Sequence, residues 1–322
     1  MKPTHQRLLD VAASQGGVLL TSQAAECGVP AAGAPATLRR AGWTRLYVGT
    51  WAAPGKQVDL RLRLLAVQLG HPHLVASHGA AAVLHGIEMV RSCTAEFTDP
   101  LCGRASRKPG ITVHPVPLAA HEIRHVKEVR VTTVLRTICD LMLTLPLHEA
   151  VIAADSELAR GRVRREHIAD ALAPPNCRRT GVRAARRALA LTDPASGSPA
   201  ESKARLEMRE AGLFPESQAR VVTRNGRVRR LDFLFRAEGL GVEIEGFAWH
   251  GSRSAHQNDA IRFNELLGCP GVREILRFTR DDVFRRPRRF IRTVQEALQR
   301  LRGAGPMPMV GADRHPKRGD HG

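Results

Sequence analysis

The clearest alternation of apolar and polar positions lies in the C-terminal third of the chain, between residues 230 and 246. Apolar side chains occupy every second position there in two short runs, first Leu231, Phe233 and Phe235, then Val242 and Ile244. A period of two is typical of β-strands, and the intervening Glu238-Gly239 pair suits a turn. The pattern predicts two adjacent strands, with Glu243 and Glu245 on the face opposite to the apolar residues of the second strand.

Further elements are predicted on both sides of these two strands. In chain order they are a helix from Ser198 to Ala211, a strand over 218–223 closed by an Asn225-Gly226 turn, a helix over 256–267, a strand over 273–279 and a helix after Pro287. In the second helix, Ile261, Leu266 and Leu267 are the predicted core positions. Helices that alternate with strands in this way predict an α/β sandwich with a mixed sheet.

Three carboxylates share the two predicted strands, with Asp232 on the first and Glu243 and Glu245 on the second. A carboxylate in a buried strand is costly unless a cation compensates it. That cation is either a divalent metal ion or, for Asp232, the guanidinium of Arg229 or Arg277. Mg²⁺ prefers carboxylate oxygens, and an ion held in this way suits phosphodiester hydrolysis.

An ordered series of short motifs extends from residue 201 to residue 287. It comprises Glu201, Leu231-Asp232-Phe233, Glu243-Ile244-Glu245-Gly246, His250, Asp259 with Arg262, Leu276-Arg277-Phe278, and Asp282-Val283 with Pro287. The series resembles the very-short-patch-repair (Vsr)-like endonuclease family of unknown function, within the PD-(D/E)xK superfamily. The resemblance implies a restriction-endonuclease-like α/β sandwich over residues 200–302. It also implies a Mg²⁺ or Mn²⁺ ion held by Asp232, Glu243 and the Ile244 carbonyl. The implied catalytic residues are Asp232, Glu243, Glu245, His250, Glu201 and Arg262.

The chain departs from the superfamily pattern at one position. A typical member carries a lysine two residues after the second acid, where it positions water and stabilises developing charge. This chain carries Glu245 there. The candidates for the cationic role are His250, Arg253 and Arg262, and His250 is also a candidate general base. Glu245 then joins the metal shell, binds a second ion or pairs with Arg262.

Several of these residues also have an explanation that needs no catalysis. Glu201 stands three residues after Ser198, so it completes a capping box at the helix start. Arg262 and Asp259 are three apart on one predicted helix, where they suit a local ion pair. His250 lies in a predicted loop, where a histidine is often simply exposed.

Residues 1–55 carry a pattern of short helices followed by a hairpin. Helices are predicted over 5–14, 23–27 and 36–41, with Thr21 or Ser22 as the cap of the second, and residues 43–52 alternate as a hairpin does. This segment resembles the winged helix-turn-helix of AbiEi-type antitoxins and related regulators. The resemblance implies DNA binding through Arg39, Arg40 and Arg45. The alternative is a unit that mediates contacts between proteins.

Residues 56–172 are predicted to be mostly helical, with a few strands. Segments 77–86 and 131–141 resemble the middle region of the same AbiEi-type proteins of type IV toxin–antitoxin systems. The polar residues that a catalytic cluster there would contain are His78, His85, Arg136 and Asp140. A scaffold or contact role is the simpler hypothesis, because Arg136 and Asp140 are four apart on a helix and suit an ordinary ion pair.

Two segments lack a predicted core of their own. Residues 173–199 contain a basic helix and end in a linker rich in proline, glycine and serine. The arginines of that helix suit phosphate contacts and a solvated face equally well. Residues 303–322 lose their periodicity, and we expect them to be disordered.

Composition narrows the class of partner. The formal net charge is +18, which favours an anionic partner, most often nucleic acid. Arginine outnumbers lysine by 43 to 6, which also fits the codon usage of a GC-rich genome. The six cysteines form no CxxC motif, and no apolar run approaches the ~18 residues of a membrane span, so a reducing cytoplasm and no membrane partner are expected.

These patterns together predict a cytoplasmic DNA-binding protein with a Mg²⁺-dependent endonuclease-like domain. The alternative is a non-catalytic transcriptional repressor, or an AbiEi-type antitoxin, whose nuclease-like domain is degenerate. A third role, contact with a cognate toxin or another protein through residues 56–172, follows from the resemblance alone.

Overall fold

The structure, a computed structural model, describes residues 3–90, 93–103, 105–174, 176–177, 179–245 and 261–304. The chain divides into two compact units, Met1–Thr192 and Asp193–Gly322. Both units combine helices with a sheet, so the mixed α/β class is confirmed. Most of the tail predicted to be disordered lies outside the described residues. No helix in the described ranges is both long enough and apolar enough to cross a bilayer.

Residues 3–52 form three short helices and a three-stranded antiparallel sheet. The elements are α1 (Pro3–Ser14), β1 (Val18–Leu20), α2 (Thr21–Glu26), α3 (Ala34–Arg40), β2 (Thr44–Tyr47) and β3 (Thr50–Ala52), with the strands in the order β1-β3-β2. Leu38, Trp43 and Trp51 lie in their common buried core. The Thr21 hydroxyl accepts a hydrogen bond from Trp51 Nε1 at 2.9 Å. α2 begins at Thr21 and its N-cap is Leu20, so neither Thr21 nor Ser22 is the cap.

A six-stranded sheet occupies the centre of residues 56–172, so the prediction of a mostly helical region understates its strand content. The strands are β4 (Val75–Ala76), β5 (Ala95–Asp99), β6 (Ser106–Lys108), β7 (Ile111–Pro115), β8 (Ile123–Val126) and β9 (Val129–Thr132), in the order β6-β7-β5-β4-β9-β8. Two helices, α4 (Leu60–Gly70) and α5 (His78–His85), contribute to its core with Leu64, Ala80 and Ala81.

Four helices of the described chain follow this sheet. They are α6 (Val134–Thr144), α7 (Leu147–Ala159), α8 (Arg165–Leu172) and α9 (Val182–Ala190). α9 packs against the other three and buries Ala185, Ala188 and Leu189. The basic helix predicted within residues 173–199 therefore belongs to the first unit, with Arg183 and Arg187 exposed.

The second unit is a four-stranded mixed sheet with helices on both faces. The strands β10 (Glu216–Val222), β11 (Val228–Phe235), β12 (Leu240–Glu245) and β13 (Glu274–Thr279) are neighbours in that order, and only the β12–β13 pair is parallel. The helices are α10 (Pro199–Glu210), α11 (residues 261–267), α12 (Arg280–Arg285) and α13 (Pro287–Gly303). α11 packs on one face of the sheet, and the other three helices pack on the opposite face.

The apolar pattern places most of this second unit correctly. Val242 and Ile244 point into the core beneath α10 and α13, as the period of two predicts. The prediction for α11 is only partly right. Leu266 is buried, but Ile261 is 51% exposed and Leu267 is 43% exposed. Phe263 packs against the core of this face instead, because α11 covers the sheet with a different stripe from the one predicted.

Candidate active site

Asp232 and Glu243 lie opposite each other on the paired strands β11 and β12. The antiparallel register pairs Phe233 with Val242, and the next position along it brings Asp232 to Glu243. The Ile244 N–H donates a hydrogen bond to Asp232 Oδ2 at 2.8 Å, and the Asp232 N–H donates to Glu243 Oε1 at 3.4 Å. Each acid is thus held by a backbone amide of the other strand. A metal contact from the Ile244 carbonyl stays a prediction.

Gln218 of β10 joins this pair, although no sequence pattern singled it out. Its side-chain Nε2 lies 2.5 Å from Glu201 Oε2 and 3.4 Å from Asp232 Oδ1. Its backbone φ is +50°, a left-handed conformation that costs a non-glycine residue about 1–2 kcal/mol. The β10–β11 ladder passes from Ser217 to Ala219 without a regular pair at Gln218. The sheet is therefore distorted where Gln218 faces Asp232.

The alternation of β11 changes face at the same point. Leu231 and Leu234 pack in the core beneath α11, whereas Phe233 and Phe235 pack in the opposite core. A regular strand would place Leu231 on the same face as Phe233. Asp232 lies at this change of face, where its carboxylate reaches the backbone of β12.

Glu201, at the start of α10, is linked to Asp232 through Gln218. The Ser198 hydroxyl caps this helix by accepting a hydrogen bond from the Glu201 N–H at 3.2 Å. The Glu201 carboxylate is buried, and it accepts hydrogen bonds from the Gly197 N–H at 2.8 Å and from Gln218. The predicted capping box is therefore only half present, because the Glu201 carboxylate accepts from Gly197 and not from the N-cap residue Ser198. The role of Glu201 in the acidic site stays a prediction.

Burial is the largest cause that raises the pKa values of these three carboxylates. Burial, followed by the negative charge of Asp232, raises the pKa of Glu243 to about 7. The same two causes raise the pKa of Glu201. Burial also raises the pKa of Asp232, although the Ile244 N–H acts in the opposite direction. At neutral pH the cluster carries its full negative charge only when a cation compensates it.

Arg262 of α11 supplies part of that compensation. Its Nη2 lies 3.0 Å from Glu243 Oε2 and donates to the Arg230 carbonyl at 3.1 Å. The predicted pairing of Arg262 with Glu245 is therefore wrong. His250, Arg253 and Asp259 lie outside the described residues, so their predicted roles stay predictions.

The cationic alternatives for Asp232 are engaged elsewhere. Arg229 Nε donates to Glu265 Oε2 at 2.7 Å, and Arg277 Nε lies 2.9 Å from Glu245 Oε1. Asp232 makes no ion pair with any described residue, so the hypothesis that Arg229 or Arg277 neutralises it is wrong. Glu245 is exposed and pairs with Arg277 of β13, so its predicted role in the metal shell stays a prediction.

Glu201, Asp232 and Glu243 have the hard carboxylate oxygens that Mg²⁺ and Mn²⁺ prefer. Among the residues that the structure describes, no three Asp, Glu, His or Cys side chains already surround one point as metal ligands. The Gln218 amide donates a hydrogen bond to Glu201, and the Arg262 guanidinium pairs with Glu243. The donor set therefore fits a divalent ion if those two side chains rotate away from the acids.

The three arginines predicted to contact DNA are exposed on the N-terminal part of the first unit. The Arg39 guanidinium lies 5.5 Å from the centre of the Trp51 ring. Arg40 Nε donates to the Ala36 carbonyl at 3.4 Å, and Arg45 Nε donates to the Tyr47 carbonyl at 3.3 Å. None of the three forms an ion pair with a described residue, so their charges are free to meet an anion.

The polar residues of the middle region form a network of ion pairs. Arg136 lies 3.0 Å from both Asp140 and Glu122, and the fully buried Asp140 also pairs with Arg179. The predicted i,i+4 pair is therefore present within a larger network. Such a network suits a structural role, because Asp140 has two guanidinium partners in a buried position.

The two histidines predicted for this region have different surroundings. His85 Nε2 lies 2.7 Å from the Thr132 carbonyl. His78 stacks on His114 with ring centres 3.9 Å apart, and burial lowers its pKa to about 4. A buried, neutral imidazole of this kind favours the packing hypothesis over a catalytic one.

Comparisons with known proteins place the chain beside two mycobacterial relatives. No family model matches it. The uncharacterized protein Rv2248 of Mycobacterium tuberculosis (strain ATCC 25618 / H37Rv) is 30% identical to it over 277 residues, which cover 83% of this chain and 97% of the relative. The uncharacterized protein MT2308 of strain CDC 1551 / Oshkosh gives the same values. At this identity and coverage, the chain belongs to the family of these two mycobacterial proteins.

Proposed function

We propose that this protein binds DNA and hydrolyses phosphodiester bonds within it. The observation that carries the proposal is the convergence of Glu201, Asp232 and Glu243 from α10, β11 and β12, with all three pKa values raised. Charged carboxylates in this arrangement destabilise one another, so the cluster contributes little to folding. It suits a divalent cation, as the resemblance to Vsr-like endonucleases implies.

Asp232 and Glu243 are the side chains that would hold Mg²⁺ or Mn²⁺, together with the Ile244 carbonyl. Such an ion lowers the pKa of bound water and compensates the charge of a phosphate oxygen. Gln218 and Arg262 meet the carboxylates from two sides. They therefore stabilise the acids before the ion arrives.

Side chains of the protein would accept the proton of the attacking water and bind the phosphate. Hydrolysis would join a water oxygen to phosphorus and break a P–O bond of the DNA backbone, with a proton of the water passing to a base and the leaving sugar oxygen taking a proton from solvent. Glu201 is placed to accept that proton, because its raised pKa brings it closer to neutral pH. Once released from Glu243, the Arg262 guanidinium can form a bidentate contact with the phosphate group. It thereby takes over the role of the lysine that Glu245 replaces.

DNA is the proposed substrate because the protein is strongly cationic and because its N-terminal part resembles a DNA-binding module. The net charge is +18, and Arg39, Arg40 and Arg45 are exposed beside the β2–β3 hairpin. In a winged helix-turn-helix, helix residues enter the major groove and the hairpin meets the backbone. These positions support DNA binding by the first unit.

A plasmid cleavage assay with and without Mg²⁺ or Mn²⁺ tests the proposal. The variants are Asp232→Asn and Glu243→Gln, which remove charge with little change of shape. Glu216→Gln is the matched control, because it removes a carboxylate of the same unit that is exposed and paired with Arg236. We expect metal-dependent nicking by the wild type and the control, and none by the two variants. If the wild type cleaves the plasmid with neither Mg²⁺ nor Mn²⁺, the proposal is wrong.

The second candidate function is a non-catalytic repressor or antitoxin-like regulator. It is favoured by Glu245, which stands at the usual lysine position and is engaged by Arg277, and by Arg262, which occupies the Glu243 carboxylate. The regulator would shift a specific duplex in a gel but leave every plasmid intact. It would also bind that duplex equally well with Asp232→Asn.

A further inference from the structure

A cluster of arginines lies where the sheet of the second unit leads into its last two helices. Six of the thirteen residues from 280 to 292 are arginines, and we term them the arginine corner: Arg280, Arg285, Arg286, Arg288, Arg289 and Arg292. We propose that the arginine corner binds the phosphate backbone of duplex DNA. The inference rests on the proposed function for the identity of the partner, but it concerns binding and not cleavage.

Part of the arginine corner lacks acidic partners, although Arg285 pairs with Asp281 and Arg292 with Glu296. Several exposed arginines elsewhere in this unit are paired, among them Arg236 with Glu216 at 2.9 Å, Arg300 with Glu274 at 2.9 Å and Arg302 with Glu238 at 2.8 Å. In contrast, Arg286, Arg288 and Arg289 are exposed and make no ion pair with any residue that the structure describes. No ion pair with a described residue therefore offsets their charge, although the Asp282 carboxylate is close enough to interact with Arg286 and Arg289.

The two acids of α12 are already engaged. Asp282 accepts hydrogen bonds from the Thr279 N–H and hydroxyl at 3.0 and 2.7 Å. Those hydrogen bonds lower its pKa, with Arg286 and Arg289 adding a smaller effect. Asp281 lies 3.4 Å from Arg285. Neither carboxylate of α12 thus forms an ion pair with Arg286, Arg288 or Arg289.

The start of α13 is also an unfavourable place for cations. Its first turn contains no acid, and Arg288 and Arg289 occupy it. A positive charge near a helix N-terminus opposes the helix dipole, at a cost of about 0.3–1 kcal/mol each. The arrangement lowers the stability of the free protein, and a polyanion bound across it would offset that cost.

The arginine corner lies next to the acidic cluster in the fold. The parallel strands β12 and β13 pair Glu243 with Arg277 and Glu245 with Thr279, and the corner begins at the next residue, Arg280. Three residues of strand correspond to about 10 Å. α12 also packs against α10, which carries Glu201. Duplex DNA carries one charge per ~1.7 Å of its axis, so a backbone bound at the corner would pass the acids within a few phosphates.

The test measures binding of the full-length protein to a labelled DNA duplex of arbitrary sequence, in EDTA, over a series of salt concentrations. The variant carries Arg286→Gln, Arg288→Gln and Arg289→Gln. Each phosphate contact contributes about 0.9 to the slope of log Kobs against log salt, so the slope should fall by about 2–3. The control carries Arg236→Gln, Arg300→Gln and Arg302→Gln, which removes the same charge from paired arginines, and its slope should fall by less than about 1.

Two outcomes overturn the proposal, provided that thermal melting shows both triple variants to be folded. One is an equal change of slope in the two triple variants, which would mean that only net charge matters. The other is an unchanged slope for the arginine corner variant. An RNA duplex that competes far better than DNA would overturn the choice of partner. Because EDTA excludes cleavage, failure of the proposed nuclease activity leaves this result unaffected and appears only in the plasmid assay.

Discussion

Glu243 is the residue whose burial most directly opposes its charge. Its pKa is raised to about 7, whereas an unfolded glutamate titrates near 4.5. The folded protein therefore holds the proton more tightly than the unfolded chain does. The stabilisation that this provides is fully present below the unfolded pKa and is lost as the pH rises through about 7. Asp232 and Glu201 have pKa values shifted in the same direction, so they add to the effect.

We expect Glu243→Gln to remove much of this pH dependence, because glutamine resembles the protonated acid at every pH. Without metal ions, the variant should be more stable than the wild type by about 1–3 kcal/mol near pH 8, and similar to it near pH 4.5. The free energy of unfolding in urea at both pH values provides the measurement. The difference between the two proteins is the readout, because it cancels the contributions of shared groups. A difference that does not change with pH would contradict the assignment of the raised pKa to Glu243.

Gln218 offers a test of strain at the acidic cluster. Gln218→Ala and Gln218→Gly both remove the amide that joins Glu201 to Asp232, but only glycine relieves the positive φ. We expect Gln218→Gly to be more stable than Gln218→Ala by about 1 kcal/mol, measured by urea unfolding. If Gln218 positions the acids, both variants should lose metal-dependent cleavage to the same extent. Full cleavage by Gln218→Gly would show that the amide has no such role.

At the scale of single residues, the sequence predicted the acids better than their partners. Two neighbouring strands predict that Asp232 and Glu243 lie close together, although the alternation of β11 changes face at Asp232. Gln218 and the Arg262–Glu243 contact depend on where β10 and α11 pack in three dimensions. A period of two also gives no sign of the positive φ at Gln218, because nothing in the identity of a glutamine predicts a left-handed backbone.

At the scale of elements, α9 provides a test of how the first unit is assembled. Gly181 precedes α9 with φ of +89°, and a Cβ there would lie 2.2 Å from the Leu143 carbonyl oxygen at the end of α6. We expect Gly181→Ala to destabilise the protein by about 3 kcal/mol or more, because both the backbone and the helix contact are disturbed. Thermal unfolding of the full chain gives the measurement.

Gly33→Ala is the matched control for Gly181→Ala. Gly33 also precedes a helix and has φ of +93°, but no atom lies within 4 Å of the position of its Cβ. Gly33→Ala should therefore lower the free energy of unfolding only through the unfavourable backbone conformation, by about 1–2 kcal/mol. Equal losses of stability in the two variants would mean that α9 does not pack tightly against α6. That result is expected for a helix that belongs to a linker.

The predictability of each element follows from its length. β11 and β12 have eight and six residues, long enough for their alternation to be recognised before the structure is known. β4 and β6 have two and three residues, so they cannot show a period of two. The six-stranded sheet is held together by neighbours that are distant in sequence, such as β4 and β9, and local patterns contain no information on such pairs.

At the scale of the whole molecule, the two units have separable tasks in the proposed function. The basic residues predicted to contact DNA lie in Met1–Thr192, and the acidic cluster lies in Asp193–Gly322. Carboxylates repel phosphates, so a site that only binds DNA gains nothing from three of them. Binding by the first unit and cleavage by the second should therefore respond to different substitutions.

Replacing Arg39, Arg40 and Arg45 together with glutamine should separate these tasks. We expect DNA affinity, measured by fluorescence anisotropy in EDTA, to fall by about 10-fold or more, because three potential phosphate contacts are lost. Cleavage at saturating protein concentration should stay within about twofold of wild type, because the acids are untouched. Arg164→Gln, Arg183→Gln and Arg187→Gln form the control, since they remove the same charge from other exposed positions of the first unit. If both triple variants bind DNA as the wild type does, the N-terminal part mediates contacts between proteins, and the resemblance to a DNA-binding winged helix does not extend to its function.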